Sequence, residues 1–131
     1  MSYLLDTNLC IALLKAKEKK LVEKFRSRDP GEFFLSSVVK GELIYGARNS
    51  QRVDENLSVL KRFFPQFESL PFDDRAAEHY GFIRAVLKRE GTPIGANDLL
   101  IAAIALAHDL VVLTRNREEF QRVPGLRWEN W

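Results

Sequence analysis

The sequence predicts an α/β fold, a single three-layer α/β/α domain over residues 1–131 with a central, mainly parallel sheet. Short apolar runs alternate with helical patterns along the chain, as in sheets covered by helices on both faces. The run Leu110–Leu113 is apolar without alternation, which is typical of a central parallel strand. No repeat, low-complexity segment or long linker interrupts the 131 residues, a length that suits one domain.

The strands are predicted where short apolar or aromatic runs are bounded by turn residues. They are Tyr3–Leu5, Phe33–Leu35, Phe67–Leu70, Leu110–Leu113 and a last strand near Leu126–Trp128. The helices are predicted from apolar residues at helical spacing and from capping residues. They run from Leu9 to Lys15, Lys19 to Arg28, Ser37 to Arg48, Asp54 to Phe64, Asp73 or Asp74 to Glu90, Asp98 to His108 and Arg117 to Arg122.

Three of these helix starts have candidate capping residues, the first of which is Asp73 or Asp74 at the long fifth helix. Ser36 or Ser37 can cap the third helix, and Asn97 can cap the helix that begins at Asp98. That last helix is apolar nearly all round, which indicates burial on most sides. Because the carboxyl ends of parallel strands form the ligand-binding edge of such sheets, residues that follow the strands are the candidate functional residues.

The composition excludes several classes of protein. Lys and Arg number 20 against 18 Asp and Glu, so the chain has no dominant basic field. Seven basic residues lie between Lys15 and Arg28 with only Glu18 and Glu23 among them, a stretch that suits either phosphate contacts or a solvated helix face. The single cysteine, Cys10, excludes an intramolecular disulfide. Without a signal-like start or an apolar run of about 18 residues, we expect a soluble cytoplasmic protein with no membrane contact.

Three carboxylates stand at positions where acidic residues are uncommon. Asp6 follows the first strand, Glu42 lies within an apolar helical pattern and Asp98 opens the buried helix. Each has an ordinary structural alternative. Asp6 can cap a helix, and Glu42 can lie at the margin of the apolar stripe. Asp98 in the first turn can stabilise its helix by about 0.3–1 kcal/mol through its interaction with the helix dipole. Helical spacing groups Glu42 with Val38, Val39, Tyr45 and Gly46, which favours an inward position.

The three carboxylates together favour a cation site. Unpaired, they would raise one another's pKa values and destabilise the fold. Oxygen ligands without clustered His or Cys favour Mg²⁺ or Mn²⁺ over zinc. Such an ion beside a basic surface suits phosphodiester hydrolysis, with a metal-activated water as the nucleophile.

Four ordered motifs resemble the PIN domain, and most of all the VapC toxins of VapBC toxin–antitoxin modules. The resemblance extends over essentially the whole chain. Its motifs are Leu4–Asn8, Ser36–Gly46, Pro93–Ala102 and Leu113–Phe120. It implies a Mg²⁺- or Mn²⁺-dependent endoribonuclease toxin that inhibits translation, with RNA, expected to be the transfer RNA anticodon loop, as substrate. It also implies a VapB-type antitoxin as inhibitor, a homodimer and larger complexes with that antitoxin.

The resemblance also assigns roles to individual residues. Asp6, Glu42 and Asp98 correspond to the family's acidic constellation, with Asp6 and Asp98 as metal ligands. The fourth acidic position falls on Asn116, a departure from the family pattern for which Glu119 is the nearest replacement.

The remaining candidates lie beside those acids. Thr7 and Thr114 correspond to the family's strand-end hydroxyls, and Arg115 and Arg117 are predicted to contact RNA because they follow the last apolar strand. The departure at Asn116 leaves one alternative open, a PIN domain that binds RNA or protein without catalysis. A further alternative on the same fold is an RNA-processing nuclease that is not a toxin.

Overall fold

The computed structural model describes all 131 residues and contains one five-stranded sheet in which every pair of neighbours is parallel. Its strands are β1 (Tyr3–Leu5), β2 (Phe33–Ser36), β3 (Glu68–Leu70), β4 (Val111–Thr114) and β5 (Trp128–Asn130). Their order is β3-β2-β1-β4-β5, so β1 is the central strand. The α/β prediction is therefore confirmed, and the sheet is wholly rather than mainly parallel.

Seven helices flank the sheet. They are α1 (Thr7–Lys15), α2 (Lys19–Arg26), α3 (Ser37–Arg48), α4 (Val53–Phe63), α5 (Asp74–Arg89), α6 (Ala96–Ala107) and α7 (Arg117–Phe120). Two 3₁₀ turns, Pro30–Glu32 and Phe64–Gln66, lead into β2 and β3. No helix has both the length and the apolar character that crossing a membrane requires.

Five predicted elements have boundaries that were wrong by two residues. Helix α1 begins at Thr7 rather than Leu9, and α7 ends at Phe120 rather than Arg122. Helix α2 ends at Arg26 rather than Arg28, because the Ser27 hydroxyl donates to the Lys24 carbonyl at 2.7 Å and competes with further helix. Helix α6 begins at Ala96, since the Gly95 carbonyl already accepts the first helical bond at 3.0 Å, so Asn97 is not its cap. The last strand starts at Trp128, which lies opposite Val112 in the sheet.

The core is a continuous apolar layer under and over the sheet. Aromatic side chains fill one part of it: Phe25 and Phe33 have ring centroids 4.5 Å apart, and Phe63 and Phe67 lie 4.9 Å apart. Cys10 is fully buried, as its apolar neighbours predicted. Phe63 and Phe67 are therefore part of the core and stabilise the fold.

The chain order of the strands creates a crevice at one edge of the sheet. From the central strand β1 the chain moves to β2 and β3 on one side, and later returns to β4 and β5 on the other side. Where the connections that follow two adjacent strands run to opposite sides of the sheet, a gap opens beyond the carboxyl ends of those two strands. The gap here lies beyond β1 and β4, directly after Leu5 and Thr114.

Helix α3 provides a test of the local capping geometry. The Ser36 side chain is fully buried and accepts a hydrogen bond from the Val39 amide at 3.1 Å, whereas Ser37 is exposed. We expect Ser36→Ala to lower the free energy of unfolding by about 1–2 kcal/mol, because the amide loses its acceptor. Ser37→Ala is the matched control and should change stability by less than about 0.5 kcal/mol. Equal losses in urea denaturation would contradict Ser36 as the cap.

Candidate active site

A polar pocket of about 400 Å³ occupies the crevice beyond β1 and β4. Its lining is almost wholly polar, with three carboxylates and four further side chains that carry oxygen donors. The lining residues are Asp6, Thr7, Asn8, Glu42, Gly95, Ala96, Asn97, Asp98 and Asn116. The fold therefore brings Asp6, Glu42 and Asp98 to one pocket from three different elements.

Asp6 has both a structural and a site role. It is 3% exposed, and its Oδ1 accepts the Leu9 amide at 2.8 Å as the N-cap of α1. Its Oδ2 accepts a hydrogen bond from the Thr114 hydroxyl. Burial raises the pKa of Asp6, and the bonds from Thr114, Leu9 and the Arg115 backbone only partly offset that effect. The capping alternative is therefore correct, and the same carboxylate also lines the pocket.

Neutral groups connect Asp6 to Asp98 across the pocket floor. The fully buried Thr114 hydroxyl bonds to Asp6 and accepts the Asn116 amide at 2.7 Å. The Asn116 side chain then donates from Nδ2 to Asp98 Oδ2 at 3.2 Å. Thr114 thus orients one carboxylate, and Asn116 donates to another from the position where the family pattern has an acid.

The charged form of Asp98 is disfavoured by burial and by three neighbouring carboxyls. Burial is the main cause that raises its pKa to about 8, followed by the neighbouring Glu119, Asp6 and Glu42 carboxyls. The pKa of Glu119 is lowered, chiefly by a hydrogen bond with the Asp98 carboxyl and also by the Gly95 amide, which donates to Oε2 at 3.3 Å. Burial and the neighbouring carboxyls therefore favour the protonated form of Asp98, and the hydrogen bond with Asp98 favours the ionised form of Glu119.

Glu119 is not among the residues that line the pocket, whereas Asn116 is. Glu119 lies in helix α7, where its carboxylate reaches the Gly95 amide and the Asp98 side chain. It supports Asp98 and the Gly95 backbone, and the pocket-facing group at this corner is the Asn116 amide.

The prediction that Glu42 shares an inward stripe with Tyr45 and Gly46 was wrong. The buried face of α3 consists of Val39, Leu43 and Ala47, whereas Tyr45 is 68% exposed. Glu42 adjoins that face, is half-buried and reaches the pocket from the helix side. Glu42 therefore lies at the margin of the apolar stripe, as its ordinary structural alternative predicted. Its carboxylate still contributes to the raised pKa of Asp98.

The two arginines expected beside the site differ in position. Arg115 is adjacent to Asp6 through its backbone, but its guanidinium forms a two-pronged pair with Glu18 at 2.8 and 3.2 Å. Arg117 is exposed and does not line the pocket. A third arginine, Arg122, donates to the Pro93 carbonyl at 3.1 Å and helps to lower the pKa of Glu119.

Sequence reasoning missed the amide groups at the pocket rim. Asn8 and Asn97 are exposed lining residues, and Thr7 contributes a buried Oγ1 without a hydrogen-bond partner. Thr7 is a predicted site residue, and Asn8 follows it directly, so the proximity of Asn8 to Asp6 is available from the sequence. Asn97 is predicted as a cap instead, because the predicted helix starts two residues later than α6 does.

Comparisons with known proteins identify the family of this fold. The PIN domain profile matches residues 3–126.

The chain belongs to the PIN-domain family.

Within that family its relatives are VapC proteins. The tRNA(fMet)-specific endonuclease VapC of Shigella flexneri is 43% identical over 131 residues, covering 100% of this chain and 98% of the relative. Ribonuclease VapC2 of Haemophilus influenzae is 36% identical over the same length, with the same coverage of the two chains. The resemblance to VapC is therefore confirmed over the full length of this PIN domain.

Solved VapBC structures have the same fold. The DNA-bound VapBC of Salmonella typhimurium superposes with a TM-score of 0.94 at 43% identity, covering 100% of this chain and 98% of the other. VapBC2 of Rickettsia felis, bound to a promoter DNA fragment, gives 0.93 at 34% identity, covering 100% and 99%. The all-parallel sheet flanked by helices is therefore a VapC-type architecture.

The donor set of the pocket fits a hard divalent cation. It offers carboxylate, amide and hydroxyl oxygens, and the partnerless Thr7 Oγ1 has a free lone pair. No three acidic, His or Cys side chains stand together at metal-ligating spacing. Mg²⁺ needs only one or two direct carboxylates because it keeps several of its waters. Asp6 and Asp98 would hold such an ion, with Glu42 and Asn116 beside it.

Proposed function

We propose that this VapC-type PIN domain is a Mg²⁺- or Mn²⁺-dependent endoribonuclease toxin that hydrolyses phosphodiester bonds in transfer RNA. The observation that carries the proposal is the polar pocket in which Asp6, Glu42 and Asp98 meet at the sheet's switch point. The names of the VapC relatives support ribonuclease chemistry, and that of the Shigella flexneri relative supports a transfer RNA substrate.

The residues of the chain supply orientation and charge for this reaction. A bound divalent cation would orient and acidify the attacking water and offset charge on the phosphate oxygens. Thr114 fixes the direction of the Asp6 carboxylate, and Asn116 fixes one oxygen of Asp98. Glu42 lines the pocket and has no hydrogen bond from the protein, so its carboxylate is free to bind a water there.

Inducible expression followed by mapping of RNA 5′ ends tests the substrate. We expect a small set of ends within the anticodon loop of one or a few transfer RNAs, and the same ends with purified protein and Mg²⁺. Excess EDTA should suppress them. Random degradation, or cleavage that persists in EDTA, would contradict a metal-dependent and selective nuclease. Binding of RNA without any cleavage would favour the non-catalytic alternative.

The affinity for Mg²⁺ should depend on pH. Because the pKa of Asp98 is raised to about 8, a proton occupies this carboxyl at pH 6 and competes with the ion. We expect the apparent Kd for Mg²⁺ to fall by up to about tenfold per unit between pH 6 and 8, and to level off above that range. Titration calorimetry measures this dependence. Asp98→Asn should flatten it, and an unchanged slope in that variant would assign the proton to another group.

The proposed protein partner is a VapB-type antitoxin. The structural relatives are VapBC complexes. An acidic pocket with a raised pKa at Asp98 would be stabilised by a basic side chain as well as by a metal ion. An apolar groove beside the pocket, lined in part by Ile11, Leu43 and Leu60, offers a surface for an amphipathic segment.

The toxin is also proposed to form a homodimer and to assemble further with its antitoxin. Light scattering of the purified chain alone and after co-expression with the adjacent antitoxin gene measures both assemblies. We expect a dimer alone and a larger, inactive complex with the antitoxin. A monomer that stays active in the presence of that protein would contradict the assignment.

A further inference from the structure

The basic segment Lys15–Arg28 contains two groups of cations that differ in their contacts with the rest of the protein. Lys24 Nζ lies 4.5 Å from the ring centre of Trp131, and the Arg28 guanidinium lies over both Tyr3 and Trp131. These two cations pack on aromatic rings and contribute to the fold. The remaining lysines of the segment require a separate explanation.

Four lysines lie together where α1 ends and α2 begins. They are Lys15, Lys17, Lys19 and Lys20, called here the lysine turn, and all four are exposed. Ala16 adopts a left-handed backbone conformation with φ 52°, and α1 ends at this residue. None of the four forms an ion pair with an acidic side chain.

The single acid within the lysine turn does not offset its charge. Glu18 is bound through both oxygens by Arg115, so its negative charge is already matched. The turn therefore presents a concentrated positive surface.

Fold stability does not account for these lysines. Lys19 and Lys20 occupy the first turn of α2, a helix with no acidic residue there and no side-chain cap. Cations at this end oppose the helix dipole at a cost of about 0.3–1 kcal/mol each. Lysines placed against the dipole and without partners suit an external anion.

The lysine turn adjoins the catalytic pocket. Arg115 bridges the two, since its side chain holds Glu18 while its backbone bonds Asp6. Lys15 also lines the groove that Glu42 shares with the pocket. A polyanion that enters the pocket would thus pass over the lysine turn.

We infer that the lysine turn docks the RNA phosphate backbone next to the scissile bond. This inference rests on the proposed ribonuclease function and names the surface that holds its substrate. Charge complementarity selects the occupant, because a nucleic acid offers phosphates at regular spacing and each contact releases counterions.

The test measures RNA binding without cleavage. Affinity of a fluorescein-labelled RNA stem-loop is followed by anisotropy in EDTA over a range of salt concentrations, for wild type and for a Lys17→Gln, Lys19→Gln, Lys20→Gln triple variant. The matched control replaces three exposed cations elsewhere, Lys61, Lys88 and Arg89, with Gln. Both triples change the net charge equally, and Lys15 stays intact because it lines the groove beside the pocket.

We expect the lysine-turn triple to bind RNA about 10- to 100-fold more weakly near 0.1 M salt. The slope of the logarithm of the binding constant against the logarithm of the salt concentration should be smaller in magnitude by about 2. The control triple should stay within about threefold of wild type, and thermal melting should show that both are folded. Equal losses in the two triples, or no loss in either, would overturn the inference. Tighter binding of poly-glutamate than of RNA by wild type would also overturn it, in favour of an acidic protein segment.

Catalysis is read out separately. The lysine-turn triple should cleave a short oligoribonucleotide that spans only the pocket at the wild-type kcat. A lowered kcat on that substrate would place the lysines in the chemistry and overturn a docking role. RNA binding that depends on the lysine turn in a protein that cleaves nothing would support the docking surface and reject the nuclease proposal.

Discussion

Asp98→Asn should lower RNA cleavage by more than about 100-fold and leave the fold intact. Asparagine has the same shape but cannot supply a charged oxygen to a cation, and changes to groups behind metal ligands already cost about 10- to 100-fold. Purified variant and wild type are compared on one RNA with saturating Mg²⁺. Asp109→Asn is the control, because Asp109 is exposed and lies away from the pocket. Wild-type cleavage by Asp98→Asn would exclude Asp98 as a site residue.

The same substitution should alter the stability of the metal-free protein in a pH-dependent way. The folded pKa of Asp98 lies above its unfolded value, so the folded state holds the extra proton and stability falls as pH rises through about 8. Asp98→Asn removes this loss, since the amide resembles the protonated carboxyl. We expect the variant to match wild type below about pH 4, to melt at an increasingly higher temperature than wild type between pH 4 and 8, and to keep a constant advantage above pH 8. A parallel decline in both proteins would assign the effect to another group.

Substitutions of Asp6 should separate its capping role from its site role. Asp6→Asn should abolish cleavage with little loss of stability, because asparagine is an equally good N-cap for the Leu9 amide and its amide can donate to Thr114. Asp6→Ala should abolish cleavage and also lower the free energy of unfolding by about 1–3 kcal/mol. That loss arises because Leu9 and Thr114 are left as buried polar groups without partners.

Urea denaturation and RNA cleavage measured on the same samples give both values. The informative comparison is between the two variants, which share the loss of charge and differ in hydrogen bonding. If Asp6→Asn cleaves RNA at the wild-type rate, the carboxylate acts only as a cap. If Asp6→Ala is as stable as Asp6→Asn, the bonds to Leu9 and Thr114 contribute little to the fold.

Much of the architecture could be predicted because its signals are local. The run Val111–Thr114 is buried on both faces and therefore lacks polar alternation, and the long helix α6 is apolar on nearly every side. The edge strand β5 was harder to locate, because its burial is partial and its register depends on β4. Helix ends were misplaced where a side chain such as Ser27, or the backbone of Gly95, decided the last or first turn.

The fold class and the three carboxylates of the site follow from the sequence, because hydrophobic periodicity and acids in apolar surroundings are properties of short segments. Which side chains line the pocket and which charges pair with one another follows only from the tertiary structure. Asn116 rather than Glu119 lines the pocket, Arg115 is held by Glu18, and the lysines separate into packed and free ones. The physical reason is that these pairings join residues far apart in the chain, and the distances that decide electrostatic and hydrogen-bond partners exist only after the strands assemble.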